Sequence, residues 1–279
     1  MGKIHDALIK SDKESKATTI TKKPSTFRIY DRKVKKKKSL GAIKTIFKSK
    51  DVDKNIVSLL EPQSFEAEQF KHLRTNILFP VSGNPPRSIM VTSAVPGEGK
   101  SFVASNLAAS IAQNIDQHVL LMDCDMRKAS VHSNFGFDEV EGLSGYLSKK
   151  TSLSSLLLKT DINKLTILPG GKPPNNPAEL MSSNKMSELL KEVTSRYNDR
   201  YIIIDSPPPH ITSETSIIAR QVDGILLVVK AGSTNREMVE ELLEMMGKEK
   251  VLGVVVNWFD MSSMKNYGYG KYGRYGKKS

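Results

Sequence analysis

One cysteine, Cys124, stands among 279 residues, so no disulfide can form within the chain and a reducing compartment is expected. Histidine is nearly as scarce. His5, His72, His118, His132 and His210 are scattered, and no two have the spacing of metal ligands. Long apolar runs are missing as well: no stretch approaches the ~18 residues that cross a bilayer. The opening Met1-Gly2-Lys3-Ile4-His5-Asp6 leads into polar sequence, unlike a secretory signal. A cytoplasmic protein is expected. Hydrophobic residues make up 38% and charged residues 26%, the balance of an ordinary globular chain. The length suits one α/β domain of about 200–220 residues with flanking tails.

Net charge is +12, and all of the excess lies in one place. Residues 1–50 carry 16 Lys/Arg against 4 Asp/Glu, while the rest of the chain holds 26 of each. Within this stretch runs Arg32-Lys33-Val34-Lys35-Lys36-Lys37-Lys38. So polar a segment cannot bury enough apolar surface to offset its ordering entropy. Residues 1–60 therefore read as a basic, largely disordered leader. The sequence of residues 3–10 is compatible with a short amphipathic helix that would carry Ile4, Ala7 and Leu8 on one side. A like-charge block of this kind suits an interaction arm for anionic lipid, nucleic acid or an acidic protein face, or else a solubilising tail. Nucleic acid is the less favoured partner, because nothing in the remaining sequence reads bases. At the other end, residues 261–279 form a flexible tail by composition. It holds four of the eight tyrosines, Tyr267, Tyr269, Tyr272 and Tyr275, spaced by Gly, Lys and Arg.

Between these tails, over residues 61–260, helix and strand patterns alternate. Helices are expected over 66–78, 102–113, 178–197 and 236–247. Strands are expected over 88–92, 119–122, 165–168, 201–204, 225–229 and 251–256. The strands are near-continuous apolar runs, as in a sheet buried on both faces. The fold class is α/β, a doubly wound, mostly parallel sheet, and the run at residues 94–101, which ends in Gly-Lys-Ser between a strand and a helix, makes it one of P-loop NTPase type.

Ala94-Val95-Pro96-Gly97-Glu98-Gly99-Lys100-Ser101 fits the spacing of a phosphate-binding loop, after a strand and before a helix. Glycines let the backbone curl so that its N–H groups converge on phosphate oxygens, and the helix N-terminus adds its positive end. Pro96, Gly97, Glu98, Gly99, Lys100, Ser101 and Phe102 form the candidate ATP cradle. Lys100 places a point charge at the terminal phosphates, and Ser101 can ligate Mg²⁺. The strand–helix turn carries no G-x-G-x-x-G, which disfavours a dinucleotide site; the run that fits this spacing, Gly268 to Gly273, follows no strand and opens no helix pattern. Asp205 ends one apolar strand, and Asp123 and Asp125 follow another. Carboxylates at the carboxyl edge of such a sheet face the ligand. One can serve a metal, and another can take a proton from an attacking hydroxyl.

In this order the motifs resemble those of the bacterial protein-tyrosine kinases of polysaccharide synthesis and export. The resemblance runs from about Glu66 to the C-terminus. It is carried by Glu68-Gln69-Phe70-Lys71-His72-Leu73-Arg74-Thr75-Asn76-Ile77, by the loop Ser93 to Ser101, and by Asp123-Cys124-Asp125-Met126-Arg127. Gly142-Leu143-Ser144, Pro174-Asn175-Asn176-Pro177-Ala178-Glu179-Leu180, Asp205-Ser206-Pro207-Pro208 and the tyrosine cluster complete it. The resemblance implies an ATP-dependent tyrosine autokinase acting on its own tail. Lys100 and Ser101 would bind phosphates and Mg²⁺, and Asp125 and Asp205 would serve the metal. Asp123 would handle the tyrosine proton, and Asn257 would read the adenine. Glu68, Lys71 and Arg74 would lie on a subunit-contact helix of a homo-oligomeric ring. A separate transmembrane activator, of the chain-length-determinant kind, and a place at the inner face of the cell membrane are also implied. Lys71 departs from the family's arginine and cannot make its bidentate fork, and Glu214 stands where relatives often carry aspartate. The alternative is a partition or division-site switch ATPase. Those proteins carry a second lysine five positions before the loop lysine, where this chain has Val95.

Overall fold

The computed structural model describes residues 52–148, 151–195, 200–210 and 214–259. The basic run at 32–38 and all four tail tyrosines lie outside the described residues. Seven strands form one sheet: β1 (Ser88–Ser93), β2 (His118–Asp123), β3 (Leu158–Lys159), β4 (Leu165–Leu168), β5 (Arg200–Asp205), β6 (Gly224–Lys230) and β7 (Val251–Asn257). Their order is β3-β4-β2-β5-β1-β6-β7. Every pairing is parallel except β3 with β4. Around the sheet lie α1 (Val57–Leu60), α2 (Phe65–Leu78), α3 (Lys100–Ala112), α4 (Val131–Asn134), α5 (Leu143–Ser148), α6 (Pro177–Met181), α7 (Asn184–Ser195), α8 (Glu214–Gln221) and α9 (Arg236–Met246).

The central strands β1 and β5 are buried along their whole length. Side chains alternate between two cores, as strand geometry requires. Ile89, Val91, Leu121 and Ile203 pack with Phe70, Leu107 and Ile111 of α2 and α3. Met90, Met122 and Ile204 pack with Leu189, Leu190, Ile218 and Leu242 of α7, α8 and α9. Helices on both faces make the sheet doubly wound.

Two expectations need correction. The ordered domain begins before residue 61. Ile56 is 1% exposed within the α2–α3 core. Asn106 of α3 accepts the Ser58 N–H at 3.0 Å and donates to the Asn55 carbonyl at 2.8 Å, while Gln113 donates to the Ser58 carbonyl. The neighbouring charge run masked this short apolar stretch. We expect Ile56→Ala to cost about 2–4 kcal/mol in a denaturant melt, as a buried truncation within the domain should; a leader residue would cost nothing. The single helix expected over 178–197 is also two, α6 and α7. Ser182 and Ser183 separate them, their hydroxyls donating to the Ala178 and Leu180 carbonyls. Ser183 accepts the Met186 N–H through both its hydroxyl and its carbonyl, in place of the Ser182 carbonyl that a continuous helix would supply.

Candidate active site

The loop joining β1 to α3 turns through two glycines in the left-handed region, Gly97 at φ 85° and Gly99 at φ 93°. Gly99 has a second reason to lack a side chain: a Cβ there would lie 2.1 Å from Asn257 Nδ2. Asn257, the last residue of β7, donates to the Glu98 carbonyl at 2.8 Å. Glu98 itself is 1% exposed and turned into the protein. Its carboxylate accepts the N–H groups of Val95 at 3.0 Å and Lys230 at 3.3 Å, together with the Thr234 hydroxyl. The phosphate loop is thus braced from within against the ends of β6 and β7. The brace uses Lys230 and Thr234, which the sequence did not single out. They lie more than 130 positions from Glu98, and no local pattern marks them.

Parallel register brings the acidic residues together. Asp123 pairs with Asp205 across β2 and β5, beside β1 and its loop. Lys100 Nζ lies 2.8 Å from Asp125 Oδ2. Burial works to lower the Lys100 pKa, but attraction to Asp205, Asp125 and Asp123 outweighs it and the net shift is upward. Asp205 moves the other way from a usual paired carboxylate. Burial pushes it up to about 6, against the pull of Lys100 and Ser101. The Ser101 hydroxyl lies near enough to favour its charge, yet neither Asp205 oxygen has a hydrogen bond of ordinary geometry. Such buried oxygens, next to a serine hydroxyl and a phosphate loop, fit a hard divalent cation.

Asp123 is held differently. Its Oδ2 accepts the N–H groups of Ser130 and Val131 at 3.0 Å each, and Oδ1 accepts that of Asp125 at 3.2 Å. It therefore organises the turn into α4 as well as standing in the site. Burial and the facing Asp205 raise its pKa well above the usual range despite these bonds. Gly170 closes against it, since a Cβ there would meet Ala129 and approach the Asp123 carboxyl. The Gly142-Leu143-Ser144 motif locks this wall: Leu143 and Ser144 donate backbone N–H groups to Pro169 and Gly170, and the Ser144 hydroxyl donates to Lys172.

The remaining predicted residues lie apart from this centre. Phe102 packs edge-on against Phe70, tying α3 to α2 at 5.6 Å. On α2, Glu68 and Lys71 pair with each other, and Lys71 also donates to the Pro62 carbonyl. Arg74 turns inward and donates to the Ser110 carbonyl at 2.9 Å. Of these three, it has an internal anchoring role.

The profile of the AAA domain family matches residues 87–251, from β1 to the start of β7. The tyrosine-protein kinase YwqD of Bacillus subtilis is 37% identical over 220 residues, covering 78% of this chain and 92% of the relative. This chain belongs to the bacterial tyrosine-protein kinase family. A second member, the tyrosine-protein kinase CpsD of Streptococcus agalactiae, is 37% identical over 217 residues, covering 76% of this chain and 90% of its own. The kinase domain of the Escherichia coli tyrosine kinase ETK superposes with a TM-score of 0.66 at 30% identity, covering 72% of this chain and 79% of that one. The kinase fold explains the phosphate loop as a nucleotide site, and the switch-ATPase alternative gives way to it. Among the described residues, no helix is long and apolar enough to cross a membrane.

Proposed function

We propose that this kinase uses Mg-ATP to phosphorylate its own C-terminal tyrosines, Tyr267, Tyr269, Tyr272 and Tyr275, in the service of polysaccharide synthesis or export. The observation that carries the reading is the Lys100–Asp125 ion pair inside a buried carboxylate cluster at the phosphate loop. Loop N–H groups receive the phosphate oxygens, and Lys100 exchanges Asp125 for the terminal phosphate. Bound Mg²⁺, held by Ser101 and by Asp205 or Asp125, would neutralise charge on the phosphates. The tyrosine oxygen forms its bond to the terminal phosphorus while the bond to the ADP oxygen breaks. The tyrosine proton passes to a carboxylate, because a phenol with a pKa near 10 is a poor nucleophile when protonated.

Asp123 is the base in this scheme, through Oδ1. It is fully buried, however, whereas Asp125 is 5% exposed and loses its partner when Lys100 moves. That contrast favours a second assignment, with Asp125 as the proton acceptor. Asp123→Asn and Asp125→Asn separate the two: the base variant keeps ATP binding and loses transfer.

Outward-facing Glu68 and Lys71 support a ring assembled through α2. A separate membrane-spanning activator and attachment of the basic residues 1–50 to anionic lipid belong to the same reading, by family relation and charge. The decisive test is incubation with Mg-ATP followed by peptide mass spectrometry, with Lys100→Ala as control. A parallel sample containing cell membranes supplies any activator. Phosphate on the tail tyrosines of the wild type alone is expected. ATP hydrolysis without phosphotyrosine in either sample would overturn the proposal.

A further inference from the structure

The residue after Asn257 is Trp258, the sole tryptophan of the chain. Its φ of 59° makes it the one non-glycine with positive φ among the described residues. A bulky aromatic residue is a costly choice for this conformation, which glycine or asparagine adopts more easily. The residue is also 63% exposed, so burial does not compensate for the backbone. Strain of this kind persists where the surrounding structure fixes it, and it clusters at ligand sites.

The position of the ring says which ligand. Its Nε1 would lie 3.7 Å from a Cβ on Gly99, so the indole stands directly over the phosphate loop. The Lys230 ammonium sits 5.5 Å from the ring centroid, and the Lys230 N–H is part of the Glu98 brace. Asn257, one residue earlier, is tied to that loop through the Glu98 carbonyl. Phe102, Asn257, Trp258 and Phe259 are among the residues lining a cleft of about 420 Å³, which α2 also lines through Phe65 and Phe70. That volume lies within the roughly 300–1,000 Å³ usual for small-ligand pockets. With phosphates on the loop, the flat apolar part of a nucleotide has this aromatic rim as its nearest support.

We infer that Trp258 stacks on the base of the bound nucleotide, held in place by its left-handed backbone and by Lys230. The inference rests on the phosphate loop being the ATP site. A stacked base gains affinity from the aromatic face, whereas phosphates alone do not engage it.

The test compares ADP with inorganic tripolyphosphate on the full chain, by calorimetry and by the emission of Trp258. Trp258→Asn removes the ring while suiting the left-handed backbone, and Trp258→Phe keeps a flat face. ADP is expected to change the emission, and tripolyphosphate is not. Trp258→Asn should weaken ADP about tenfold and leave tripolyphosphate within about twofold, with Trp258→Phe close to wild type for both. Equal ADP affinity in the Asn variant would overturn the inference. So would an equal loss for both ligands, which would mean that the loop itself had been disturbed. Failure of the wild type to bind either ligand would instead strike at the phosphate-loop reading.

Discussion

Lys100→Ala should abolish measurable phosphoryl transfer, a loss of about a thousandfold or more, and should also lower the melting temperature of the ligand-free protein. The first effect follows from position. Lys100 opens α3 immediately after the loop glycines, and in the proposed function its charge would meet the transferred phosphoryl group there. Removing one preorganised donor from such a site costs roughly 10²–10³ in rate, and this one also carries a full charge. The second effect follows from its neighbours. Lys100 is the cation facing Asp123, Asp125 and Asp205, and Asp123 and Asp205 are fully buried. Breaking a buried ion pair from one side costs about 3–5 kcal/mol when the remaining charge has no escape. Here the carboxylates can take up protons, since Asp123 and Asp205 already have raised pKa values. The expected loss is therefore smaller, about 2–3 kcal/mol at pH 7.5, or roughly 5–10 °C for a domain of this size. It should shrink toward pH 5, where Asp205 is protonated and needs the cation less. Lys100→Arg separates the two effects, because it keeps the charge but not the compact ammonium. It should melt near wild type and still fail to transfer phosphate. Scanning calorimetry at both pH values, with phosphotyrosine formation measured alongside, checks all of this. An Ala variant as stable as wild type at pH 7.5 would mean that Lys100 does not hold the cluster together.

The parts of this site that were legible in the sequence are those written locally. The phosphate loop announces itself because glycines, lysine and serine must fall within a few residues, between a strand and a helix. Strands β1, β2, β5 and β6 were legible because strands buried on both faces carry unbroken apolar runs. The three aspartates could be placed at one edge, since parallel strands end together. What the sequence concealed is written across long separations. Glu98 lies inside the motif and looks like a cradle residue, but its carboxylate faces inward to Lys230 and Thr234. Asp123 looks free for chemistry, yet it accepts backbone N–H groups from Ser130 and Val131 that only the folded turn presents. Arg74 sits in a motif read as a subunit contact, while its guanidinium reaches the end of its own α3. Ile56 was hidden by composition, because a basic segment overshadowed the short apolar stretch that follows it. In each case what decides the residue's place comes from another part of the fold.

Asp205→Asn carries the second large prediction, and its direction on stability is opposite to that on activity. A folded-state pKa of about 6, against an ordinary 3.8, means that ionising this carboxylate opposes folding. As pH rises through the ordinary value, the unfolded chain releases its proton first, and the folded state loses stability relative to it. The loss is complete once pH passes the folded value, so the wild type carries the full cost at pH 7.5. A shift of this size corresponds to roughly 3 kcal/mol. Asparagine keeps the shape and removes the titration, so the ligand-free variant should melt about 5–8 °C above wild type at pH 7.5. The gap should close toward pH 4, where the wild-type carboxyl is protonated as well. Transfer to tyrosine should fall by at least about a hundredfold, because the buried oxygens left without hydrogen bonds are those suited to the cation. Adding Mg-ADP should then raise the melting temperature of the wild type more than that of the variant, reversing or narrowing the order seen without ligand. A variant that melts at or below the ligand-free wild type at pH 7.5 would show that Asp205 is already satisfied in the folded chain. A carboxylate that destabilises its own fold until a ligand arrives is the mark of a residue retained for binding, and the crossed pair of melts makes that distinction without an activity assay.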